Sequence, residues 1–252
     1  MHRKWKHILN GGVCVKKGNV NNYLFPIYIV MFLIMLCSAY LYNKTANALA
    51  LNELQTDSPV IIVDAGHGGV DGGAVSVDGT FESTINLQIS GKLNDLLHFF
   101  GHRTIMVRDG DYSVYKYGNT IAQKKISDLK QRVQLVNSTE NALLVRIHQN
   151  YFQDSRYYGP QVFYSQMEES HLLASKLQQA LNKNVSPQSK RKIKPAAGVY
   201  LMDKINCCGV LVECGFLSNH TEAKKLLDPE YQKALCCVIA TVIANHVNTR
   251  GI

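Results

Sequence analysis

Three apolar runs that each lead into a polar side chain constrain the fold of this 252-residue chain more than any other feature. The runs are residues 60–63 ahead of His67, residues 142–147 ahead of His148, and residues 209–212 ahead of Glu213. Short apolar runs bounded by glycine or polar residues are typical of buried strands. The carboxyl ends of parallel strands meet at one edge of a sheet, where open α/β folds bind their ligands. We therefore expect these three side chains to converge at that edge.

Helical patterns alternate with the apolar runs along the chain. Apolar residues recur at helical spacing in residues 82–100, and the pair Asp228–Pro229 predicts the start of the last helix. Further elements are predicted as strands at residues 104–107, 161–164 and 199–202 and as a helix at residues 124–137. Ser165 and Glu168 have the spacing of a capping box, which predicts a helix that starts there and runs to about residue 184. This alternation predicts an α/β fold, with a three-layer α/β/α domain around a mainly parallel, mixed sheet.

A glutamate at the start of the first helical segment, Glu82, can face the same edge of the sheet. Two imidazoles and one carboxylate, from His67, His148 and Glu82, make a zinc set that leaves a fourth position for water, as catalytic zinc sites do. The second carboxylate, Glu213, can then accept a proton from that water. The residues alone leave simpler interpretations open: His67 as a loop histidine that bonds backbone, and Glu82 as a carboxylate favoured by the helix dipole.

Four sequence blocks resemble the zinc-dependent N-acetylmuramoyl-L-alanine amidases of the amidase 3 type, and among them most of all the spore-cortex amidases. The blocks are residues 63–69 (VDAGHGG), 81–87 (FESTINL), 146–150 (RIHQN) and 211–219 (LVECGFLSN). The resemblance extends over roughly residues 59–250. It implies that His67, Glu82 and His148 bind Zn²⁺ and that Glu213 is the catalytic base.

The resemblance also implies a substrate and a physiological role. The substrate is peptidoglycan, cut at the amide between N-acetylmuramic acid and L-alanine, with Asn150 as an orienting or substrate-binding residue. The spore-cortex type implies removal of peptides ahead of muramic-lactam formation by another enzyme. An accessory protein is a further expectation, because the sequence shows no separate wall-binding module. A vegetative amidase for cell separation and a non-catalytic wall-binding protein stay open as alternatives. One position departs from the family pattern, because Arg146 stands where a small residue is usual.

An uncharged segment near the N-terminus predicts contact with a membrane. Residues 23–42 carry no charge over 20 positions, enough for a helix of about 30 Å that matches the hydrocarbon core of a bilayer. The basic residues ahead of it place the N-terminus in the cytoplasm and the rest outside. These residues are Arg3, Lys4, Lys6, Lys16 and Lys17.

The predicted organisation therefore has four parts. They are a basic cytoplasmic tail (residues 1–22), a transmembrane anchor or signal sequence (residues 23–42), a linker (residues 43–58) and a zinc amidase catalytic domain (residues 59–252). The catalytic domain is expected on the cell-wall side, in a spore former between the forespore and mother-cell membranes. It is either anchored or secreted, since the segment is also compatible with a signal sequence.

The net charge of the predicted catalytic domain indicates which macromolecules it can bind. Five of the positive charges behind the formal net +8 lie ahead of the span, and residues 43–58 carry a net −1, which leaves +4 for residues 59–252. A modest positive balance suits an anionic wall polymer, and nucleic acid is not expected as a partner of a domain beyond a membrane. The basic run in residues 190–194 is either a solvated loop or a contact for the acidic groups of a peptide stem.

Cysteine and histidine usage adds two expectations. The five cysteines of residues 59–252 include no Cys-x-x-Cys, so they are expected to be buried thiols rather than a zinc ribbon or a disulfide scaffold. The remaining histidines of this region are expected to lie on polar helix faces or caps. They are His98, His102, His171, His220 and His246.

Overall fold

A computed structural model describes residues 21–249 of the chain, and within that range the side chains of residues 26–45 and 58–249. The chain divides into two compact units, Met1–Glu53 and Leu54–Ile252. Helix α1 (Asn21–Asp57) contains the window Pro26–Thr45, which is long and apolar enough to cross a membrane, with a mean hydropathy of 1.7. The helix continues into the residues predicted as a linker. The basic side chains of the predicted tail lie outside the described residues.

The second unit alternates strands and helices in the predicted manner. Its strands are β1 (Val60–Ala65), β2 (Thr104–Met106), β3 (Ala142–Asn150), β4 (Gln161–Tyr164), β5 (Lys194–Pro195) and β6 (Cys208–Phe216). Its helices are α2 (Glu82–Phe99), α3 (Ile121–Ser138), α4 (Glu168–Asn184), α5 (Tyr200–Lys204), α6 (His220–Leu227) and α7 (Pro229–Asn248).

One six-stranded sheet runs through the unit in the order β2-β1-β3-β6-β4-β5. Neighbouring strands are parallel except β4 and β6, which are antiparallel, so the sheet is mainly parallel and mixed, as predicted. In the register of the central strands, Asp64 lies beside Arg146 and His148 lies beside Glu213. The three apolar runs thus form three adjacent strands whose carboxyl ends share one edge.

Helices cover both faces of this sheet. On one face Ile89 of α2, Leu173 of α4 and Ile239 of α7 are fully buried in the larger hydrophobic cluster. On the other face Val136 of α3 and Leu201 of α5 belong to a smaller cluster. Side chains alternate between the faces of a strand, so the polar residues at positions 64, 146, 148 and 213 all point toward the face with the smaller cluster. The polar side chains of the three central strands therefore share one face of the sheet.

One predicted strand, residues 199–202, is wrong. The structure forms helix α5 there, and its Leu201 and Met202 are buried against the smaller cluster. A short apolar run does not distinguish a buried strand from a buried helical turn. Here the side chain of Asp203 accepts a hydrogen bond from the Gly198 backbone N–H at 3.0 Å, which closes the chain into a turn.

The predictions for cysteines and histidines are confirmed in part. Four thiols of the second unit are buried as expected: Cys207, Cys208, Cys214 and Cys236. Cys237 is exposed, because it lies on the outer side of α7. His246 is only 3% exposed, so the prediction of a polar helix face is wrong for this histidine. Its side chain is turned inward between α7 and α4, where it contacts Glu169.

Candidate metal centre

Three side chains meet at the carboxyl edge of the sheet in the arrangement predicted from the sequence. Nε2 of His67 lies 3.2 Å from Oε2 of Glu82, and Nδ1 of His148 lies 2.9 Å from Oε1 of the same carboxylate. One ligand atom from each residue falls within 4.8 Å of the others. Two imidazoles and a carboxylate are ligands that Zn²⁺ accepts, and three protein ligands leave one position open. The donor set therefore fits a catalytic zinc ion.

Glu82 is held in place by backbone donors as well as by the histidines. Its Oε2 accepts a hydrogen bond from the Ala74 N–H at 3.0 Å, and its Oε1 accepts one from the Gln149 N–H at 3.1 Å. Burial raises the pKa of this carboxyl, but hydrogen bonds to His148 and His67 lower it further, so the pKa stays well below its usual range. Glu82 is therefore a fixed carboxylate, available as a metal ligand.

His67 lies in the loop after β1 in an uncommon backbone conformation. Its φ is +60°, in the left-handed region, which non-glycine residues adopt rarely and often at functional sites. Its Nδ1 lies 2.9 Å from Oδ2 of Asp71, whose other oxygen is 2.7 Å from Nζ of Lys125. Burial lowers the pKa of His67, but the hydrogen bonds to Asp71 and Glu82 outweigh it and raise the pKa to about 9. Asp71 thereby orients Nε2 of His67 toward Glu82.

Two glycines leave the space in which these side chains meet. A Cβ added at Gly66 would collide with the imidazole ring of His148. A Cβ at Gly73 would come within 2.6 Å of Oε2 of Glu82 and 2.7 Å of Cδ2 of His67. Gly73 also has a φ of +69°, which glycine adopts without strain. The glycine-rich loop thus serves close packing around the two histidines.

Behind His148 lies a buried ionic network that was not predicted from the sequence. Nε of Arg146 donates a hydrogen bond to Nε2 of His148 at 2.8 Å, and Nη1 of Arg146 lies 3.3 Å from Oδ2 of Asp64. Arg132 pairs with the other oxygen of Asp64 and with Asp128 at 2.6 Å. Burial raises the pKa of Asp64, whereas Arg132 and Arg146 lower it, with a net decrease. Burial and the charge of Arg146 both lower the pKa of His148, to about 4, so this imidazole is neutral near pH 7.

Glu213 stands apart from the three ligand-type residues. It neighbours His148 in the register of β3 and β6, and its Oε2 is buried without a hydrogen-bond partner among the described residues. Burial raises its pKa to about 8, helped by the negative charge of Glu82 and opposed by Arg146 and His67. A carboxyl group with such a pKa exchanges protons near neutral pH, which is the property of a general base or acid.

The structure also locates two further groups that were singled out in the sequence. Asn150 ends β3 and is half-buried, and its carbonyl accepts a hydrogen bond from the Leu217 N–H at 2.8 Å. In the basic run, Nη1 of Arg191 donates to Oε1 of Gln161 at 2.8 Å, and Gln161 neighbours Glu213 in the register of β4 and β6. Binding of substrate by Asn150, and of acidic peptide groups by this run, stay predictions.

Arg108 is a second buried arginine that was not predicted from the sequence. Its side chain is fully buried and donates to the carbonyls of Ala65, Gly66 and Ser83 at 2.8 to 3.0 Å. It thereby ties the loop that carries His67 to the first turn of α2. Arg108 directly follows the predicted strand 104–107. A charged residue at a strand end could have indicated this site, in the same way as His148 did. Arg132 had a weaker signal, its spacing of four residues from Asp128 on one helix.

Comparisons with known proteins identify the family that this chain resembles in sequence and fold. A family model described as N-acetylmuramoyl-L-alanine amidase matches residues 61–245. The germination-specific N-acetylmuramoyl-L-alanine amidase of Bacillus subtilis (strain 168) is 34% identical over 200 residues, which cover 79% of this chain and 84% of that protein.

Two solved structures share the fold. The CwlD amidase from Clostridioides difficile, solved in complex with the GerS lipoprotein, has 38% sequence identity and a TM-score of 0.73, over 76% of this chain and 99% of that one. The N-acetylmuramoyl-L-alanine amidase from Clostridium difficile 630 has 26% identity and a TM-score of 0.66, over 77% of this chain and 100% of that one.

Proposed function

The chain belongs to the N-acetylmuramoyl-L-alanine amidase family, and we propose that it is a zinc-dependent member that acts on the peptidoglycan of the spore cortex. Amidase activity follows from the family. The observation that supports zinc dependence is the convergence of His67, Glu82 and His148, with ligand atoms within 4.8 Å and a glycine loop shaped around them. In this proposal these three residues hold the ion.

The catalytic base in this proposal is Glu213. When bound, Zn²⁺ supplies Lewis-acid chemistry, acidifying water and polarising a carbonyl oxygen. Glu213 ionises more readily beside a bound cation than in its present surroundings, because an opposite charge nearby favours the carboxylate. It accepts a proton from the water that attacks the lactyl carbonyl carbon. It then gives that proton to the alanine nitrogen as the carbon–nitrogen bond breaks, which leaves a free amine on the peptide and a carboxylate on the sugar.

The arrangement of the carboxylates favours amide over glycan hydrolysis. Glycosidases need two carboxyl groups that flank the acetal, one of them free to donate a proton. Here Glu82 accepts hydrogen bonds from two histidines and two backbone N–H groups, and its pKa is held low. It cannot act as an acid at neutral pH. Of the two glutamates, only Glu213 can transfer a proton. Amide hydrolysis in this proposal requires one such group.

Asn150 is proposed as a residue that contacts the substrate. It lies two positions beyond His148, where the pairing of β3 with β6 becomes irregular. An irregular strand end exposes side chains that a regular ladder would keep in the pleat. Asn150 is half-buried at that point, so its amide is in reach of a ligand that enters the edge of the sheet.

The relatives support the cortex role and an accessory protein. The similar Bacillus protein is named germination-specific, and the similar Clostridioides structure contains a lipoprotein partner. By analogy we propose that this chain removes peptides from cortex muramic acid ahead of lactam formation, and that it works with a partner protein outside the cytoplasm. The apolar window Pro26–Thr45 is proposed as the membrane anchor or signal segment that brings it there.

The proposal is tested by digesting purified peptidoglycan with the full chain in detergent, with zinc or with a chelator, and analysing products by mass spectrometry. We expect peptides with a new L-alanine amine and uncut glycan strands, in the zinc sample alone. New reducing ends without new amines would overturn the reaction class, and equal activity in chelator would overturn the zinc dependence. Normal lactam in a deletion strain would leave the amidase chemistry intact and point to a vegetative role. No hydrolysis under any condition would favour a wall-binding protein.

A further inference from the structure

A second group of metal-binding side chains meets at the opposite, amino-terminal edge of the sheet. Glu169 lies in the first turn of α4, Cys208 begins β6, and His246 lies in the last turn of α7. Nε2 of His246 is 3.0 Å from Oε1 of Glu169, and the carboxylate, imidazole and thiol ligand atoms all fall within 4.8 Å of one another. Cys208 and Glu213 are five positions apart along β6, which is about 17 Å at 3.3 Å per residue. The two groups are therefore separate sites.

Two of the three side chains in this group are buried and the third is partly exposed. Cys208 is 1% exposed and His246 is 3% exposed, whereas the side chain of Glu169 retains 27% of its exposure. The thiol of Cys208 lies within the same 4.8 Å as the carboxylate of Glu169 and the imidazole of His246. Three donors of different chemistry, brought together from two helices and a strand, are what a metal site requires.

From this convergence we propose that Glu169, Cys208 and His246 bind a second divalent metal ion, of the borderline class that Zn²⁺ represents. Zinc takes thiolate, imidazole and carboxylate ligands, whereas Mg²⁺ and Ca²⁺ take oxygen ligands and do not select a thiol. One thiolate and one carboxylate balance the two charges of the ion. The site is then neutral overall, which is the state that burial favours.

Open space borders the cluster at Cys208. A cavity of about 370 Å³ adjoins the cluster and is lined in part by Met167, Cys207 and Cys208. Met167 directly precedes the first turn of α4, which carries Glu169. The partly exposed carboxylate marks the side from which the ion enters and on which a water completes four-fold coordination.

The bound ion acts as a cross-link in the fold. It joins the start of α4, the start of β6 and the end of α7, three segments distant in sequence that pack on the face with the larger cluster. A ligand that binds the folded state alone stabilises it by mass action. The expected consequence is a melting temperature that rises with zinc even when the candidate metal centre has been removed.

The test uses Co²⁺ in place of zinc in the full chain in detergent. A cobalt–thiolate bond has a near-ultraviolet charge-transfer absorption, and the candidate metal centre contains no cysteine, so the band reports on the second site alone. We expect the band in the unaltered chain and in His67→Ala/His148→Ala, and we expect its loss in Cys208→Ser. Cys207→Ser is the matched control, because this neighbouring thiol belongs to the hydrophobic cluster on the other face of the sheet. It should keep the band.

Zinc content gives the second measurement. We expect about two equivalents in the unaltered chain, and about one equivalent in His67→Ala/His148→Ala and in Cys208→Ser. If Cys208→Ser does not fold, His246→Gln serves instead, since its amide can still donate to Glu169 while the ring nitrogen is lost. Absence of the thiolate band in the folded, unaltered chain, or a band that survives loss of Cys208, would overturn the second site. Neither result would bear on the amidase chemistry.

Discussion

Arg146 donates a hydrogen bond from its Nε to Nε2 of His148, at a distance of 2.8 Å. A guanidinium has no acceptor, so Nε2 must carry its lone pair toward Arg146. Since the pKa of His148 is lowered to about 4, the neutral ring then has its single proton on Nδ1, the nitrogen that faces Glu82. The ring nitrogen of His148 that lies nearest Glu82 is therefore protonated in this structure.

This tautomer predicts a competition between Arg146 and the metal. If His148 were to hold a metal through Nδ1, its proton would have to lie on Nε2, which faces the donor of Arg146. The variant Arg146→Gln replaces that donor with an amide that can also accept a hydrogen bond. The metal-free protein then no longer has the Arg146–His148 hydrogen bond that zinc binding must break. We expect zinc binding to tighten by about ten-fold, because a hydrogen bond to a charged group is worth about 1.5 kcal/mol or more. The measurement is a zinc competition titration with a chelator of known affinity.

The matched control for this prediction is Arg146→Lys. Lysine keeps the positive charge and a donor, so zinc affinity should stay near that of the unaltered chain. The ¹⁵N chemical shifts of His148 should show the Nδ1–H form in chelator. An Nε2–H form in the unaltered, metal-free protein would contradict the assignment of the tautomer.

Asp71 supports the other histidine, and its removal is expected to weaken the metal site without emptying it. Oδ2 of Asp71 lies 2.9 Å from Nδ1 of His67, and carboxylates in this position orient the ring and raise its basicity. The variant Asp71→Asn can still accept a hydrogen bond but has lost the charge. We expect zinc affinity to fall by about ten- to a hundred-fold, measured in the same titration. Asp78→Asn, in the same glycine-rich loop, is the control for a lost charge and should leave affinity unchanged.

Much of this site could be predicted from the sequence because the ligand-type residues lie near the end or at the start of a regular element. His148 and Glu213 follow apolar runs and lie in the last part of β3 and β6, and the carboxyl ends of parallel strands converge whatever the details of packing. The last helix was found from Asp228, whose side chain accepts a hydrogen bond from the Glu230 N–H as an N-terminal cap. Features of this kind depend on residues that are close in sequence, so they can be predicted without knowledge of the packing.

The residues that were missed depend on long-range packing. Arg146 is buried because Asp64, 82 positions earlier in the chain, lies beside it in the strand register. Neither residue shows this pairing in its local sequence. His246 is a different case, because it follows the buried Ile239 and Ile243 at helical spacing, so the sequence itself indicated the buried face of α7, where Glu169 of α4 contacts it. The helix at residues 200–204 was mistaken for a strand because apolar runs of this length fit both periods.

The membrane topology is a further prediction. Five basic residues precede the apolar segment and one, Lys44, directly follows it, which places the N-terminus in the cytoplasm and the amidase domain outside. Protease added to intact protoplasts should therefore degrade the domain if it is anchored. A cytoplasmic protein serves as the control for intact membranes. Protection of the domain until the membrane is lysed would reverse the orientation.

Replacement of the proposed base should separate metal binding from turnover. Glu213→Gln keeps the shape of the side chain but cannot accept a proton. We expect zinc content to stay unchanged and amide hydrolysis to fall by roughly 10² to 10⁴-fold, the usual contribution of a general base. Release of L-alanine amines from peptidoglycan is the measurement, with zinc content determined on the same preparation. Activity close to that of the unaltered chain would remove Glu213 from the mechanism.

The same substitution should stabilise the metal-free protein in a pH-dependent way. The pKa of Glu213 is raised to about 8 in the folded chain, from an ordinary value of 4.5. Below pH 4.5 the group is protonated in both the folded and the unfolded chain, so it does not change the free energy of unfolding. Between these two values the unfolded chain releases the proton while the folded chain retains it, and the free energy of unfolding falls as the pH rises.

Glutamine has no such proton to release, so Glu213→Gln escapes this loss. The gain in unfolding free energy of the variant over the unaltered chain should therefore be smallest at pH 4.5, grow as the pH rises, and level off above pH 8. At about 1.4 kcal/mol for each unit of pKa shift, it should reach a few kcal/mol. Other titrating groups cancel in the comparison because both chains contain them. Denaturant unfolding in chelator, followed by circular dichroism at pH 4.5, 6 and 8, measures the difference. A gain that is the same at all three pH values would show that Glu213 ionises normally in the folded protein.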